Sequence, residues 1–324
     1  MTTRSSNVAP SFSPAKAWLC WTLAGLCLLP WVTPPVALLV GLAFALTLGN
    51  PQPRVTARVQ RWLLQASVMG LGFAVNFQTV VRTGFTGAAV TVLSLAVTLL
   101  LGYLLARLFR VERVTGQLVS IGTAICGGSA IAAMGPVLGA DEREMSVALG
   151  CVFLLNAVAL FIFPVVGHWA GLDPTGFGWW AAIAIHDTSS VAGAAARYAP
   201  EALATAIPVK LARALWIVPA VVIAATAARR REKKLSFPWF VPGFVATSLL
   251  ATFQPAAAGV WQALAFAAKS GLSATLFLIG TSLTTDALRR VGWRPFLHAL
   301  SLWIIVSVTS LALIRVFFAG PASP

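Results

Sequence analysis

Two short polar strings lie inside otherwise apolar stretches of the chain, and they hold the residues best suited to chemistry. The first, GTAICGGSA, begins at Gly122, and the second, IHDTSSV, begins at Ile185. A glycine weakens a helix by about 1 kcal/mol, and a short polar side chain can cap a helix that starts again. The N–H groups at such a start attract anions. Both strings therefore predict broken helices that bind a small anion.

Each string contributes candidate site residues. His186 and Asp187 are the candidates for binding a coupling ion, because ionisable side chains at membrane depth are costly and His titrates near neutral pH. Two alternatives stay open: a small-residue packing face for the first string, and a simple cap at the membrane interface for His186-Asp187. The candidate substrate-binding residues of the two strings are Cys126, Gly127, Gly128, Ser129, Thr188, Ser189 and Ser190.

Two cations, Lys210 and Arg213, complete the candidate substrate site. They lie three residues apart and therefore on one face of a helix. Asp187 is the only acidic residue well inside an apolar stretch, so a bound anion would supply the missing negative charge. The alternative is that either side chain reaches the interface and keeps its charge in water. Weaker polar candidates are Asn76, Asn156 and Lys269, whereas His168 and His298 are expected at the interface.

The overall composition identifies the elements that must position these residues. Of the 324 residues, 58% are hydrophobic and only 10% are charged, against about 25% charged in a soluble protein. Apolar residues occupy both odd and even positions, as in residues 90–101. This pattern excludes the strands of a transmembrane barrel, in which apolar and polar residues alternate. The sequence predicts an all-α, polytopic transmembrane helix bundle. The net charge of +14 does not indicate nucleic-acid binding, because the basic residues form short clusters between apolar stretches.

About eleven crossings are predicted, with the N-terminus inside. In this map sixteen of the 23 Lys and Arg residues fall in cytoplasmic segments. The segments on the outer side of the membrane hold only Arg82, Arg143, Arg197 and Arg315. Basic residues mark the cytoplasmic side of short loops, so the charge pattern supports this orientation. The apolar stretches are residues 17–32, 34–49, 63–81, 87–107, 117–139, 145–167, 179–196, 203–227, 238–253, 261–283 and 297–318.

Residues 1–16 are predicted to form a disordered cytoplasmic tail, and residues 17–318 a single transporter domain without a cleaved signal. Two internal similarities, residues 122–164 with 183–219 and residues 69–72 with 278–281, indicate repeat units at 34–168 and 179–318. Five-helix units of this kind would be inverted, as is common in transporters. The two polar breaks would then run in the same direction, a mismatch that a re-entrant hairpin would remove.

The two polar strings together resemble those of a family of bacterial inner-membrane proteins described as sulfate exporters (the YeiH type), over about residues 34 to 318. The resemblance implies transport, with sulfate as the named substrate. It also implies an architecture similar to bile-acid and cation/proton antiporter-like carriers, in which discontinuous helices cross near mid-membrane. It points to residues 127–129 and 186–190, and by analogy with such carriers it implies a homodimer.

The sequence therefore predicts a multi-pass secondary transporter of a small anion in the bacterial inner membrane, with the lipid bilayer as its surroundings. No enzymatic activity, cofactor, metal or nucleic-acid partner is predicted, and the four cysteines lack metal-ligand spacing. Three alternatives remain. They are a sodium- or proton-coupled symporter of an organic anion with Asp187 as the cation ligand, a passive channel, and an intramembrane hydrolase with Ser129 as nucleophile and His186 as base.

Overall fold

The computed structural model describes residues 14–227, 239–285 and 291–318, without the side chains of residues 83–89, 227, 317 and 318. Within these ranges the chain is helical and contains no strand, which confirms the all-α prediction. The helices are α1 (Pro14–Leu26), α2 (Pro34–Leu48), α3 (Pro53–Leu71), α4 (Phe77–Leu108), α5 (Arg113–Ala124), α6 (Gly128–Leu138), α7 (Glu142–Trp169), α8 (Pro174–Ala184), α9 (Thr188–Tyr198), α10 (Leu203–Ala214), α11 (Ile217–Ala227), α12 (Phe240–Phe253), α13 (Ala258–Ser282) and α14 (Trp293–Phe318).

Within the described ranges, five helical segments are long and apolar enough to cross a membrane. The chain is thus built for several membrane passages, and the predicted tail of residues 1–16 lies almost wholly outside the described residues. The five segments are Val90–Leu108, Glu142–Trp169, Pro200–Thr226, Pro255–Ser282 and Trp293–Val316.

Several helices begin at polar caps that the sequence supplies. Asp141 accepts from Glu144 N–H at 2.7 Å and Glu144 accepts from Asp141 N–H at 2.9 Å, which is a capping box at the start of α7. Asp173 caps α8 by accepting from Gly176 N–H. Asn76, one of the weaker site candidates, accepts from Gln78 N–H and caps α4. A cap accounts for Asn76 without any ligand.

The helices form two groups. In the panel group, α13 packs on α2 and α3, α12 packs on α3, and α1 lies against α13. The α2–α13 approach is close, because a Cβ on Gly41 would meet the carbonyl oxygen of Phe277 at 2.1 Å. The core group contains α4 to α11 and α14. The two groups meet where α9 packs on α13 and α2 and where α12 packs on α4.

The pair α5–α6 is a hairpin and not one interrupted crossing. A Cβ on Gly122, near the end of α5, would lie 2.9 Å from the Ile131 side chain of α6, so the two helices lie side by side. Near the end of α6, Gly135 lies against Met145, close to the start of α7. The chain therefore returns to the end of the bundle from which α5 began, and only α7, with 28 residues and a length of about 42 Å, crosses from there.

The pair α8–α9 is a second hairpin, entered from the opposite end. The ring of Phe177, near the start of α8, stacks on Tyr198 at the end of α9 with centroids 3.8 Å apart. The Tyr198 hydroxyl donates to the carbonyl of Leu172, just before α8. His168, at the end of α7, also stacks on Tyr198. Both ends of this hairpin thus lie where α7 ends.

These hairpins correct the sequence prediction for residues 117–139 and 179–196, which do not cross as predicted. The resemblance implied that the discontinuous helices cross near mid-membrane. Instead, each broken helix turns back on itself and forms a hairpin. Gly127 adopts φ +63°, a conformation that L side chains rarely take, and this helps to reverse the first chain segment. Each half-helix has only 11 or 12 residues, or about half the thickness of a bilayer core.

We call the end of the bundle at which α5 begins the basic end, and the other the opposite end. Arg143 was predicted on the face opposite Arg113, but it lies at the basic end because α5–α6 returns there. Only the chain between the two hairpins changes sides, so the clusters at residues 54–61 and 107–113 keep their predicted grouping. The predicted clusters at residues 229–234 and 289–290 lie outside the described residues. The structure thus has two hairpin units. One contains α5, α6 and α7, the other contains α8, α9, α10 and α11, and they run through the bundle in opposite directions. This arrangement removes the direction mismatch found in the sequence.

Candidate functional site

The tips of the two hairpins meet at the middle of α7. We define the first tip as residues 125–127, between α5 and α6, and the second tip as residues 185–187, between α8 and α9. A Cβ on Gly127 would lie 3.3 Å from the Cβ of His186. Asn156, at the midpoint of α7, contacts the second tip. The polar strings that lie about 60 residues apart in the sequence are therefore neighbours in space.

Asp187 holds the second tip together. One carboxylate oxygen accepts from the Ser190 N–H at 2.7 Å and from the Ser189 hydroxyl, and the other accepts from the Ser190 hydroxyl at 2.9 Å and from the Asn156 amide. Asp187 thereby caps α9, as its residue type favours. The interpretation of Asp187 as a cap is confirmed, but the cap lies deep in the protein and not at an interface.

Asn156 connects α7 to the same tip. Its side-chain oxygen accepts from the backbone N–H of His186 at 3.1 Å and lies 3.2 Å from His186 Nδ1. In the sequence Asn156 is only one of the weaker candidates, because a single Asn in a helix is equally a helix-to-helix hydrogen bond. It is such a bond, and its partners are the two candidate coupling residues.

Lys210 and Arg213 lie on one face of α10 and reach both hairpins. Lys210 Nζ donates to the carbonyls of Ile185 at 2.6 Å, Ala182 at 3.3 Å and Ile125 at 3.4 Å. Arg213 Nε donates to the carbonyl of Ala124 at 2.6 Å. These carbonyls are left without partners where α5 and α8 end, and cations are favourable at such C-terminal ends. Because Lys210 and Arg213 are 0% and 1% exposed, neither side chain reaches an interface.

Several polar atoms near the tips are buried without a hydrogen-bond partner. They are Nη1 and Nη2 of Arg213, Nε2 of His186 and the hydroxyl of Thr123. Leaving such an atom unpaired costs about 1–3 kcal/mol, and more when the group is charged. A guanidinium can bind an oxyanion through two parallel hydrogen bonds. These atoms belong to residues at or beside the tips or to α10, which binds the hairpin carbonyls, and Thr123 is a member that the sequence alone does not single out.

The remaining candidates fall into two sets. Thr188, Ser189 and Ser190 are buried at the start of α9, with Ser189 and Ser190 engaged by Asp187. Gly127 and Cys126 lie in the first tip, and Gly128 follows it. Ser129 is different, because it is exposed on the outer face of α6.

Within the part of the chain that the structure describes, no group of three or more His, Cys, Asp or Glu residues could hold a metal ion.

Two other predictions need comment. His298 does not lie at an interface but is 0% exposed, with Nε2 3.0 Å from the carbonyl oxygen of Gly102. The physical reason is that α14 begins at Trp293, four residues before the predicted start, so that His298 lies a full turn inside the helix. Lys269 is exposed on α13.

Fold and site together define a polytopic membrane protein with two opposed helical hairpins. The chain belongs to the family described as Conserved hypothetical protein 698, which matches residues 17–299. It is similar to UPF0324 membrane proteins of Bacteroides thetaiotaomicron (48% identity over 288 residues, 88% of this chain and 87% of the relative) and Geobacter sulfurreducens (47% over 293 residues, 90% and 94%). A UPF0324 membrane protein of Porphyromonas gingivalis is 50% identical over 288 residues, 88% and 87% of the two chains. No solved structure matches the chain.

Proposed function

We propose that this multi-pass membrane protein is a secondary transporter that moves a small anion, such as sulfate, across the bacterial inner membrane. The supporting observation is the guanidinium of Arg213, which is buried beside the end of α5 with both terminal nitrogens free of hydrogen-bond partners. An oxyanion at this position would accept from both nitrogens. Half-helices that end at mid-depth are the usual way in which a transporter builds such a site.

The charge balance of the site favours an anion. Lys210 and Arg213 supply two positive charges, and the starts of α6 and α9 add partial positive charge. Among the residues that the structure describes, Asp187 is the one carboxylate at the tips, and its two oxygens already accept four hydrogen bonds from neutral donors. With Asp187 counted, one positive charge remains, which a bound oxyanion would compensate.

Asp187 is also central to the alternative of a sodium- or proton-coupled symporter of an organic anion. A sodium ion needs several oxygen ligands at one point, and both carboxylate oxygens of Asp187 are committed to capping α9. We therefore favour His186, whose Nε2 has no hydrogen-bond partner, as the coupling group, with a proton as the coupling ion.

The channel and hydrolase alternatives receive less support. Lys210 and Arg213 are fully enclosed, which suits a carrier that binds its substrate and then changes shape better than an open pore. Ser129 is exposed on the outer face of α6, whereas the ring of His186 is engaged by Asn156 at the second tip. A nucleophile and its base must lie within hydrogen-bond reach, so we retain the proposal of a protein without enzymatic activity.

We further propose that the basic end faces the cytoplasm, with the N-terminus inside. Arg107, Arg110, Arg113 and Arg143 lie at or beside this end, and basic loops mark the cytoplasmic side. The hairpin pairs then form the inverted units of a single transporter domain, at about residues 34–168 and 179–318. The homodimer stays a proposal by analogy with similar carriers.

Counterflow in proteoliposomes tests the transport proposal. Vesicles are loaded with unlabelled sulfate, and labelled sulfate is added outside; the wild-type protein is expected to accumulate label above equilibrium. Arg213→Gln is expected to abolish accumulation, because it removes the charged nitrogens that face the substrate. Arg315→Gln is the matched control, since Arg315 is exposed at the end of α14, and it is expected to behave as wild type. Equal accumulation by Arg213→Gln and Arg315→Gln would contradict the assignment.

A further inference from the structure

The amino group of Lys210 contacts main-chain oxygens of both hairpins. Its Nζ donates to the carbonyl of Ile185 at 2.6 Å, and the carbonyl oxygens of Ala182 and Ile125 lie 3.3 and 3.4 Å from the same nitrogen. A protonated lysine has three N–H donors and no acceptor, whereas a neutral amine has one donor fewer. Three acceptors around one nitrogen therefore favour the charged ammonium form.

The three carbonyls belong to the C-terminal ends of two half-helices. Ile125 is the residue that ends α5, Ile185 is the residue that ends α8, and Ala182 lies in the last turn of α8. Carbonyls at a helix end have no partner within the helix, and the apolar side chains of these residues cannot supply one. All three residues are buried, so that a cation from α10 satisfies carbonyls that water would otherwise have to reach.

The charge at this point matches a single monovalent cation. The C-terminal end of a helix carries the equivalent of about half a negative charge, so the ends of α5 and α8 together carry about one. In transporters with broken helices, such half-helix ends and the carbonyls beside them coordinate coupling cations such as sodium. In this protein the side chain of Lys210 occupies the position, and it is 0% exposed.

We propose that the ammonium of Lys210 is a tethered cation, which takes the place of a monovalent metal ion between the two hairpin ends. The hairpins are then joined without a dissolved cation, and transport does not require sodium. Lys210 contributes its charge to the candidate site, while the terminal nitrogens of Arg213 remain for the substrate. The role of Lys210 depends only on its contacts, whereas the consequence for transport rests on the proposed function.

Replacing the tethered cation with a dissolved one tests this role. Lys210→Ala removes the ammonium and keeps the three carbonyls, and its thermal unfolding in detergent is compared in ammonium, potassium, sodium and choline chloride at equal ionic strength. Ammonium is expected to raise the melting temperature of Lys210→Ala by several degrees over choline, because it copies the N–H donors of Nζ and binds only the folded protein. Potassium and sodium are expected to act in the same direction. Equal melting temperatures in all four salts would mean that water fills the position, and would overturn the proposal.

Two variants and the wild-type protein separate a specific site from a general effect of salt. Lys210→Met keeps most of the side-chain volume without the charge, so its melting temperature is expected to be the same in all four salts. Arg213→Ala, on the same face of α10, releases only the carbonyl of Ala124 and is also expected to show no preference, as is the wild type. An equal gain from ammonium in any of these three proteins would contradict a site specific to Lys210. A Lys210→Ala protein that cannot be obtained folded even in ammonium chloride would contradict it as well.

Sulfate counterflow tests the consequence for transport. The wild-type protein is expected to accumulate labelled sulfate equally in sodium, potassium and choline media. Accumulation by the wild type only in the presence of sodium would overturn the proposal that Lys210 replaces this ion. If ammonium stabilises Lys210→Ala while wild-type counterflow fails in every medium, the transport proposal is rejected and the role of Lys210 stands.

Discussion

The two hairpin tips use the same backbone device with different chemistry. At the second tip, Asp187 caps α9 and gathers the hydroxyls of Ser189 and Ser190 around itself. At the first tip the cap position is Gly127, which has no side chain to offer, and α6 starts without a side-chain cap. The start of α9 at the second tip is thus capped by a side chain, whereas the start of α6 at the first tip is not.

The two tips are also held by different neighbours. The second tip is held by its own side chains and by Asn156 of α7. The first tip depends on the backbone of Gly127 and on α10, whose Arg213 and Lys210 bind the carbonyls of Ala124 and Ile125. We infer that an anion binds nearer the start of α6, beside Arg213, while the start of α9 serves mainly as the rigid wall of the site.

The largest effect is expected from removing the cap of the second tip. Asp187→Ala leaves the Ser190 N–H and the Asn156 amide buried without a partner and is expected to destabilise the protein by about 4 kcal/mol. Asp187→Asn keeps one acceptor oxygen and is expected to lose about half as much. Thermal unfolding in detergent measures both. An Asp187→Ala protein as stable as wild type would mean that the second tip is not held by its carboxylate.

A smaller effect is expected at the first tip. Gly127→Ala places a side chain at φ +63° and within 3.3 Å of His186, and we expect a loss of about 3 kcal/mol from backbone strain and crowding together. Gly171→Ala separates the two causes, because Gly171 also has positive φ (+66°) but a Cβ there would meet no atom within 4 Å. Gly171→Ala is expected to lose only about 1–2 kcal/mol. The same melting temperature for both variants would contradict the crowding of Gly127 against Val152 of α7, 3.1 Å from such a Cβ, and against His186.

The smallest effect compares one hydroxyl from each tip. Ser190→Ala removes one donor to Asp187 but keeps the backbone bond, so a loss of about 1 kcal/mol is expected. Ser129→Ala changes an exposed side chain and is expected to leave stability unchanged. Thermal unfolding of the two variants side by side measures the difference. If Ser129→Ala were the more damaging change, the first tip would have an internal network of its own.

Much of the candidate site was accessible from the sequence. The two polar strings stood out because hydroxyls, His186 and Asp187 are rare within apolar stretches, and helical geometry alone placed Lys210 and Arg213 on one face. Thr123 was overlooked because a Thr hydroxyl in a helix usually bonds its own backbone. His298 was misplaced because the predicted crossing began at residue 297, whereas α14 begins at Trp293.

The amino-acid sequence by itself determined an all-α protein with many apolar helices, two breaks, and basic clusters grouped at one end. These properties are local, since they depend on composition, on spacing and on the residues that cap or interrupt a helix. Only the tertiary structure decided that each break reverses the chain. Two half-helices of 11 or 12 residues have the same apolar length as one crossing, so hydropathy cannot separate the two arrangements. The reversal is stabilised by contacts with α7 and α10, where Asn156, Lys210 and Arg213 satisfy the polar groups that the breaks expose.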